Sequence, residues 1–240
     1  MRNIARVLIA VLALLVISSP PAVAGGRGGG GHPRIVPVGT VAGSTGGRIL
    51  GDWFVENLSR PASASPFGGT ANLCYDVGRH DRVLAPAGGI QKDRLIEMTC
   101  TVEVGRPVVM VLPTSDCSTA EDPPFYGATA REQRRCAIEQ VQGYVKALSL
   151  SVDGGEAVNI LRPRFFEVSP QRRVVFPEDP VFGADVGPAK FVAAGWLAEI
   201  RGMKKGTHTA TSVGTIVVGA DGTTAVDTYT VHFEVVGHRR

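Results

Sequence analysis

The chain of 240 residues carries a formal net charge of +3, and two of its cations, Arg2 and Arg6, lie in an N-terminal leader. Without them the charge falls to +1, which leaves no electrostatic footprint for nucleic acid or anionic lipid. About 190 residues follow the leader and a glycine-rich spacer, enough for one good core or two small ones.

The leader has three zones. Arg2 and Arg6 give a positive end, Val7 to Ile17 is unbroken apolar sequence, and Pro20, Pro21 and the small triplet Ala22-Val23-Ala24 follow. A signal peptidase reads that arrangement, so residues 1–24 are expected to be a cleaved signal peptide. The apolar run is too short to span a bilayer, which needs about 20 residues. No cysteine follows the run to carry a lipid, and no second long apolar stretch occurs. We therefore expect a secreted or envelope-located protein without a membrane span after signal cleavage. Gly25 to Arg48 is rich in Gly, Pro, Ser and Thr and reads as a flexible linker. One folded domain is expected over residues 49–238.

Within that domain the pattern is mostly that of strands. From Leu95 to Val104, Ile96, Met98, Cys100, Val102 and Val104 alternate with Glu97, Thr99, Thr101 and Glu103, the period of a half-buried strand. Gly105-Arg106-Pro107 turns the chain into Val108–Leu112, an apolar run short enough for a strand buried on both faces. Thr129 and Glu132 form a capping box ahead of Ala137, Val141, Tyr144, Val145 and Leu148 at helical spacing. Arg131, Arg134 and Arg135 on that helix read as a solvated face mixed with Glu132 and Glu139, although cations in a first turn oppose the helix dipole and leave room for an acidic partner.

Leu148–Val152, Asp153-Gly154-Gly155 and Val158–Ile160 signal a hairpin. Arg164–Val168 and Arg173–Phe176 are further strands bounded by prolines. Last, Thr207–Val218 and Thr224–Val236 flank Asp221-Gly222, a dipeptide suited to a tight turn. Short strands with one helix in a connection predict a mainly β fold: a β-sandwich, Ig-like or jelly-roll-like, with one α-helix inserted around residues 129–147.

Cys74, Cys100, Cys117 and Cys136 all lie in the mature part. In an oxidising compartment two disulfides are the default. Three pairings are possible, and the shortest loops favour Cys74 with Cys100 and Cys117 with Cys136. No C-x2-C spacing supports zinc.

Candidate chemistry is sparse. If Asp221 and Gly222 form a two-residue tip, His208 lies opposite Val235 on the face of Tyr229, Val231 and Phe233. His232 then points the other way, so the two imidazoles cannot share a metal ion. His208 is read as a hydrogen-bonded structural histidine. Trp196 and Tyr229 are read as structural, and Trp53, Trp196, Tyr126 and Tyr144 favour packing over a sugar platform, both tryptophans lying in strand-like context. Glu178, Asp179 and Asp185 match no calcium-loop pattern. Asp52, Asp76 and Asp81 could supply the paired carboxyls of a glycoside hydrolase. No G-x-S-x-G, H-E-x-x-H or P-loop is present.

Gly195-Trp196, Gly206-Thr207-His208-Thr209 and Thr228-Tyr229-Thr230-Val231 carry a resemblance. With Thr99-Cys100-Thr101-Val102 and Val152-Asp153-Gly154, they resemble a group of uncharacterised exported bacterial β-sandwich proteins whose closing pattern is G-W, G-x-H-T and T-Y-x-x-x-V. The arginine that precedes the cysteine in that group is a threonine here, at Thr99. The group has no established activity, so the resemblance implies a fold and export but no catalytic residues.

The expectation is a non-enzymatic binding or interaction module without cofactor or metal. Its expected partner is a cell-envelope component or another protein. The alternative is a secreted hydrolase of carbohydrate or another envelope polymer, using acids near Asp76, Asp81 or Glu178.

Overall fold

A computed structural model describes residues 32–69, 71–89 and 94–237. The expected signal peptide, residues 1–24, and the glycine run that follows lie outside the described residues.

In chain order the elements are β1 (Arg34–Pro37), β2 (Thr40–Val41), β3 (Ser44–Thr45), α1 (Gly46–Leu58), β4 (Asn72–Val77), β5 (Val83–Gly88), β6 (Leu95–Glu103) and β7 (Val108–Ser118). Then come α2 (Ala130–Tyr144), β8 (Val145–Val152), β9 (Val158–Asn159), β10 (Phe166–Val168), β11 (Arg172–Phe176), β12 (Gly187–Arg201), β13 (Gly206–Val217) and β14 (Thr224–Val236). A seven-stranded sheet runs β1-β12-β7-β5-β4, with β10 and β11 also paired to β12. A five-stranded sheet runs β6-β14-β13-β8-β9. The predicted mainly β sandwich is present, and it carries a second helix, α1.

Two cores result. Met98, Cys100 and Val102 of β6, Leu148 and Leu150 of β8, and Val231 and Phe233 of β14 meet Val108, Met110, Trp196 and Ile200 between the sheets. Val109, Val111, Phe191 and Leu197 turn the other way, against Ile49, Leu50, Trp53, Phe54 and Leu58 of α1. Thus β7 and β12 are buried on both faces, as the unbroken Val108–Leu112 run predicts.

The seven-stranded sheet begins well before residue 49. Arg34–Pro37, expected in the linker, pairs antiparallel with Ala198–Arg201 as β1. The glycines at 46 and 47 open a helix: Thr45 caps it, its Oγ1 accepting the Arg48 N–H at 3.3 Å. A Cβ at Gly47 would collide with the Val168 carbonyl oxygen, so this glycine lets α1 lie directly on β10. Trp53, read as strand-like, is therefore helical and buried, with its Nε1–H donating to the Pro86 carbonyl at 3.1 Å.

The α2 capping box forms in both directions, Glu132 N–H to Thr129 Oγ1 at 3.2 Å and Thr129 N–H to Glu132 Oε2 at 2.9 Å. Both expected disulfides are present. Cys74–Cys100 joins edge strand β4 of one sheet to edge strand β6 of the other, and Cys117–Cys136 pins α2 to β7. Among the described residues no cysteine is free.

The last hairpin closes differently from the expectation. Val217 pairs with Thr224, leaving 218–223 as the connection, with the Asp221 side chain accepting the Thr223 N–H at 2.9 Å. His208 consequently pairs with Phe233 rather than Val235. The slip is of two residues, so every side chain keeps its face. Gly105-Arg106-Pro107 does not close a hairpin; it carries the chain from the five-stranded sheet to the seven-stranded one.

Candidate functional site

Of the sequence-flagged acids, Asp52, Asp76 and Asp179 have their carboxylates bonded within the fold. Arg106 binds the Asp76 carboxylate at 2.5 Å and the Asp81 carbonyl at 2.8 Å, fixing the turn between β4 and β5. Asp52 on α1 is held by Arg172 at 2.5 Å and by Arg48 at 3.5 Å. The Asp179 carboxylate accepts the Ser63 N–H at 3.3 Å, while its carbonyl accepts the Ala62 N–H at 2.7 Å. No cluster of three or more His, Cys, Asp or Glu suited to a metal ion occurs among the described residues.

His208 is engaged at both ring nitrogens, Nδ1 at 2.7 Å from Asp153 Oδ2 and Nε2 at 2.9 Å from the Lys204 carbonyl. Asp153 Oδ1 accepts the Thr209 N–H at 2.8 Å. The pair thus ties the β8–β9 turn to the start of β13, and neither imidazole nitrogen is left for a substrate. Trp196 is buried and packs edge-on against Phe166 at 5.0 Å between centroids. Tyr229 donates to the Met98 sulfur at 3.2 Å, and burial pushes its phenol pKa up. Tyr144 donates to the Thr114 carbonyl at 2.6 Å; Tyr126 stands exposed in a loop. The four aromatics do not assemble into a platform.

The sequence reading missed one acidic pair. Asp116 on β7 and Glu121 in the loop after it are 4% and 6% exposed, and Asp116 Oδ2 and Glu121 Oε2 are buried without a hydrogen-bond partner. Burial raises Asp116 well above the usual carboxylate range, and the neighbouring Glu121 charge raises it further. Burial pushes Glu121 up to about 7, against the opposing effect of Ser118 and Asp116. A proton on either carboxyl would remove the repulsion and supply the donor that both lack. An acid at the end of an apolar strand, Thr114-Ser115-Asp116-Cys117, was the only signal in the sequence.

The outer face of the five-stranded sheet is an organised polar surface. Strand pairing sets side chains in rungs: Leu95, Thr228, Val213, Ser149; then Glu97, Thr230, Thr211, Ser151; then Thr99, His232, Thr209; then Thr101, Glu234, Thr207. At one end Leu95, Val213 and Val226 are 54%, 40% and 57% exposed. His232 sits mid-face, with Nδ1 3.1 Å from Thr209 Oγ1 and Nε2 2.9 Å from Glu97 Oε1. Residues 97 and 232 meet only because β6 pairs parallel to β14, which no local pattern announces.

The Thr209–His232–Glu97 chain has the order of a hydroxyl, a base and an orienting acid. The β13 and β14 amides around it serve the β ladder on both sides, so these two strands offer no convergent pair of free N–H groups to an oxyanion.

The surface also carries two concavities. A pocket of about 130 Å³ at the β6–β7 crossover is lined by Glu103, Arg106, Glu199, Arg201 and Met203, below the size of ordinary ligand sites. An open groove of about 720 Å³ runs beside β11. Neither any protein-family model nor any curated protein sequence matches the chain.

Proposed function

We propose that this protein is a non-enzymatic binding module of the extracytoplasmic space, and that it engages an envelope polymer through the outer face of its five-stranded sheet. The leader supports export, as does the likeness of the closing motifs to exported bacterial proteins. Two disulfides fit an oxidising compartment.

The observation that carries the reading is the field of Ser and Thr across β6, β14, β13 and β8, interspersed with Glu97, His232 and Glu234 and ending in an exposed apolar patch. Hydroxyls on neighbouring strands repeat at about 4.8 Å, and along a strand at about twice the residue rise of 3.3 Å. Each hydroxyl both donates and accepts, and each threonine adds a methyl group. Such a surface suits a polymer that also presents repeating hydroxyls and apolar ring faces, which is the chemistry of a polysaccharide.

The test is cosedimentation of the mature protein with insoluble envelope polysaccharide, alongside a Thr211→Lys/Thr230→Lys variant. Wild type should pellet and the variant should stay in solution. Equal pelleting of both would refute the assignment of the face.

The Thr209–His232–Glu97 chain favours a second reading, hydrolysis of an activated ester or glycoside. It requires that His232→Ala abolish a measurable turnover of such a substrate by wild type. We expect no turnover to lose.

A further inference from the structure

The seven-stranded sheet has an open edge. β12 pairs with β7 on one side and on the other carries β1, β10 and β11 in succession. Among the described residues no strand pairs with the far side of β11.

The register identifies its free backbone groups. The Lys190 N–H donates to Thr119 Oγ1 at 3.1 Å, and the Lys190 carbonyl accepts the Thr119 N–H at 2.9 Å. The backbone of Lys190 is thus turned toward the β7 side and away from its β11 partner, Arg173. Hydrogen-bonded and non-hydrogen-bonded pairs alternate along an antiparallel ladder. Arg172, Val174 and Phe176 therefore bond to β12, while Arg173 and Val175 present N–H and C=O outward. Pro188, opposite Val175, has no N–H to give and fits the same phase.

The side chains around this edge are sorted by face. Val174 and Phe176 turn toward α1, whose Val55 and Ser59 line the 720 Å³ groove. Val175, 61% exposed, lies on the other face with Arg173, Pro188 and Lys190. Neither Arg173 nor Lys190 has a carboxylate partner among the described residues. Gln133 bonds the Lys190 carbonyl at 3.1 Å, which brings the exposed, equally unpaired Arg131 and Arg134 of α2 to this side of the sheet. The acids near this edge are Asp52, paired with Arg172 on the α1 side, and Glu178 and Asp185 past the other end of β11.

We propose that β11 is a docking edge for an extended segment of a partner protein, one that alternates apolar and acidic residues and adds as a further strand. The outward amides and carbonyls of Arg173 and Val175 supply its backbone bonds. Its apolar side chains lie over the α1 side of the groove, and its acids face Arg173 and Lys190. Cations on an edge strand normally repel a second copy of the same edge. An acidic partner converts that protection into selectivity. This inference uses the opposite sheet from the proposed polymer face and does not depend on it.

The experiment titrates the ¹⁵N-labelled mature protein with a blocked octapeptide of alternating valine and glutamate, and with its valine–lysine counterpart. The acidic peptide should shift the amides of Arg173 and Val175 and protect them from hydrogen exchange, and the basic peptide should not bind. Val175→Pro removes an outward N–H without taking a ladder bond. It should weaken binding at least tenfold with an unchanged melting temperature. Lys190→Glu, which touches no backbone group, should do the same. Equal binding of the two peptides, no binding of either, undiminished affinity in both variants, or shifts at Thr209 and Thr211 instead would overturn the proposal. The Thr211→Lys/Thr230→Lys variant should bind the peptide as wild type does, so failure of the polymer face leaves this result intact.

Discussion

The two sheets have strands of similar length and opposite exposure. β7 and β12 lie between a helix and a second sheet and are apolar on both faces, whereas β6, β13 and β14 alternate and keep one face in water. The difference governs what a polar side chain costs. In the doubly covered sheet a polar group needs a partner inside or must lose its charge: Ser169 accepts the Ala193 N–H at 2.9 Å, and burial beside Glu121 favours the protonated form of Asp116. On the open face, threonines, serines and His232 cost little, because water reaches them. Doubly covered strands are thus confined to the seven-stranded sheet, and the face proposed for polymer binding lies on the five-stranded one.

The sharpest way to break this comparison is truncation on the covered side. Phe191→Ala removes a fully buried ring between β12 and α1 and should cost about 3–5 kcal/mol in denaturant titration. A cost near that of a surface change would mean that α1 is not a true third layer. The disulfide joining the two sheets comes next. Replacing Cys74 and Cys100 together by alanine opens a loop with a sequence separation of 26 and should lose about 3 kcal/mol, read as a lowered denaturation midpoint under non-reducing conditions.

The acid pair gives a pH signature. The folded pair keeps its proton to higher pH than the unfolded chain does, with Glu121 pushed up to about 7 by burial. Its stabilisation is complete below the unfolded carboxyl range and is lost as pH climbs through about 7. Melting temperature should fall between pH 5 and pH 8 by the equivalent of about 2–3 kcal/mol. Glu121→Gln should flatten that profile, and an unchanged profile would show that the pair does not hold a proton. Smallest of all, Thr211→Ala and His232→Gln on the open face should move stability by no more than about 0.5 kcal/mol. A larger loss would indicate that this face is structural, and would count against its use for binding.

Much of this was legible in local pattern. Alternation from Leu95 to Val104, the capping box at Thr129 and Glu132, the apolar run of β7 and both disulfide pairings follow from residue type and spacing, because each depends on neighbours in sequence or on a short loop. The opposite orientation of His208 and His232 was legible as well. It survived a two-residue error in hairpin register, since the strand period is two.

Tertiary contact decided the rest. Glycines at 46 and 47 give a linker composition, yet here, with Gly51, they let α1 sit against Glu167, Val168 and Arg172 without side chains between. Their purpose exists only once β10 and β11 are in place. Likewise Glu97 meets His232, and Asp116 meets Glu121, through the parallel pairing of β6 with β14 and the burial of the loop after β7. The free edge of β11 is a property of which strand β12 accepts beside it. Periodicity fixes which way a side chain points; only the folded sheet decides what it finds there.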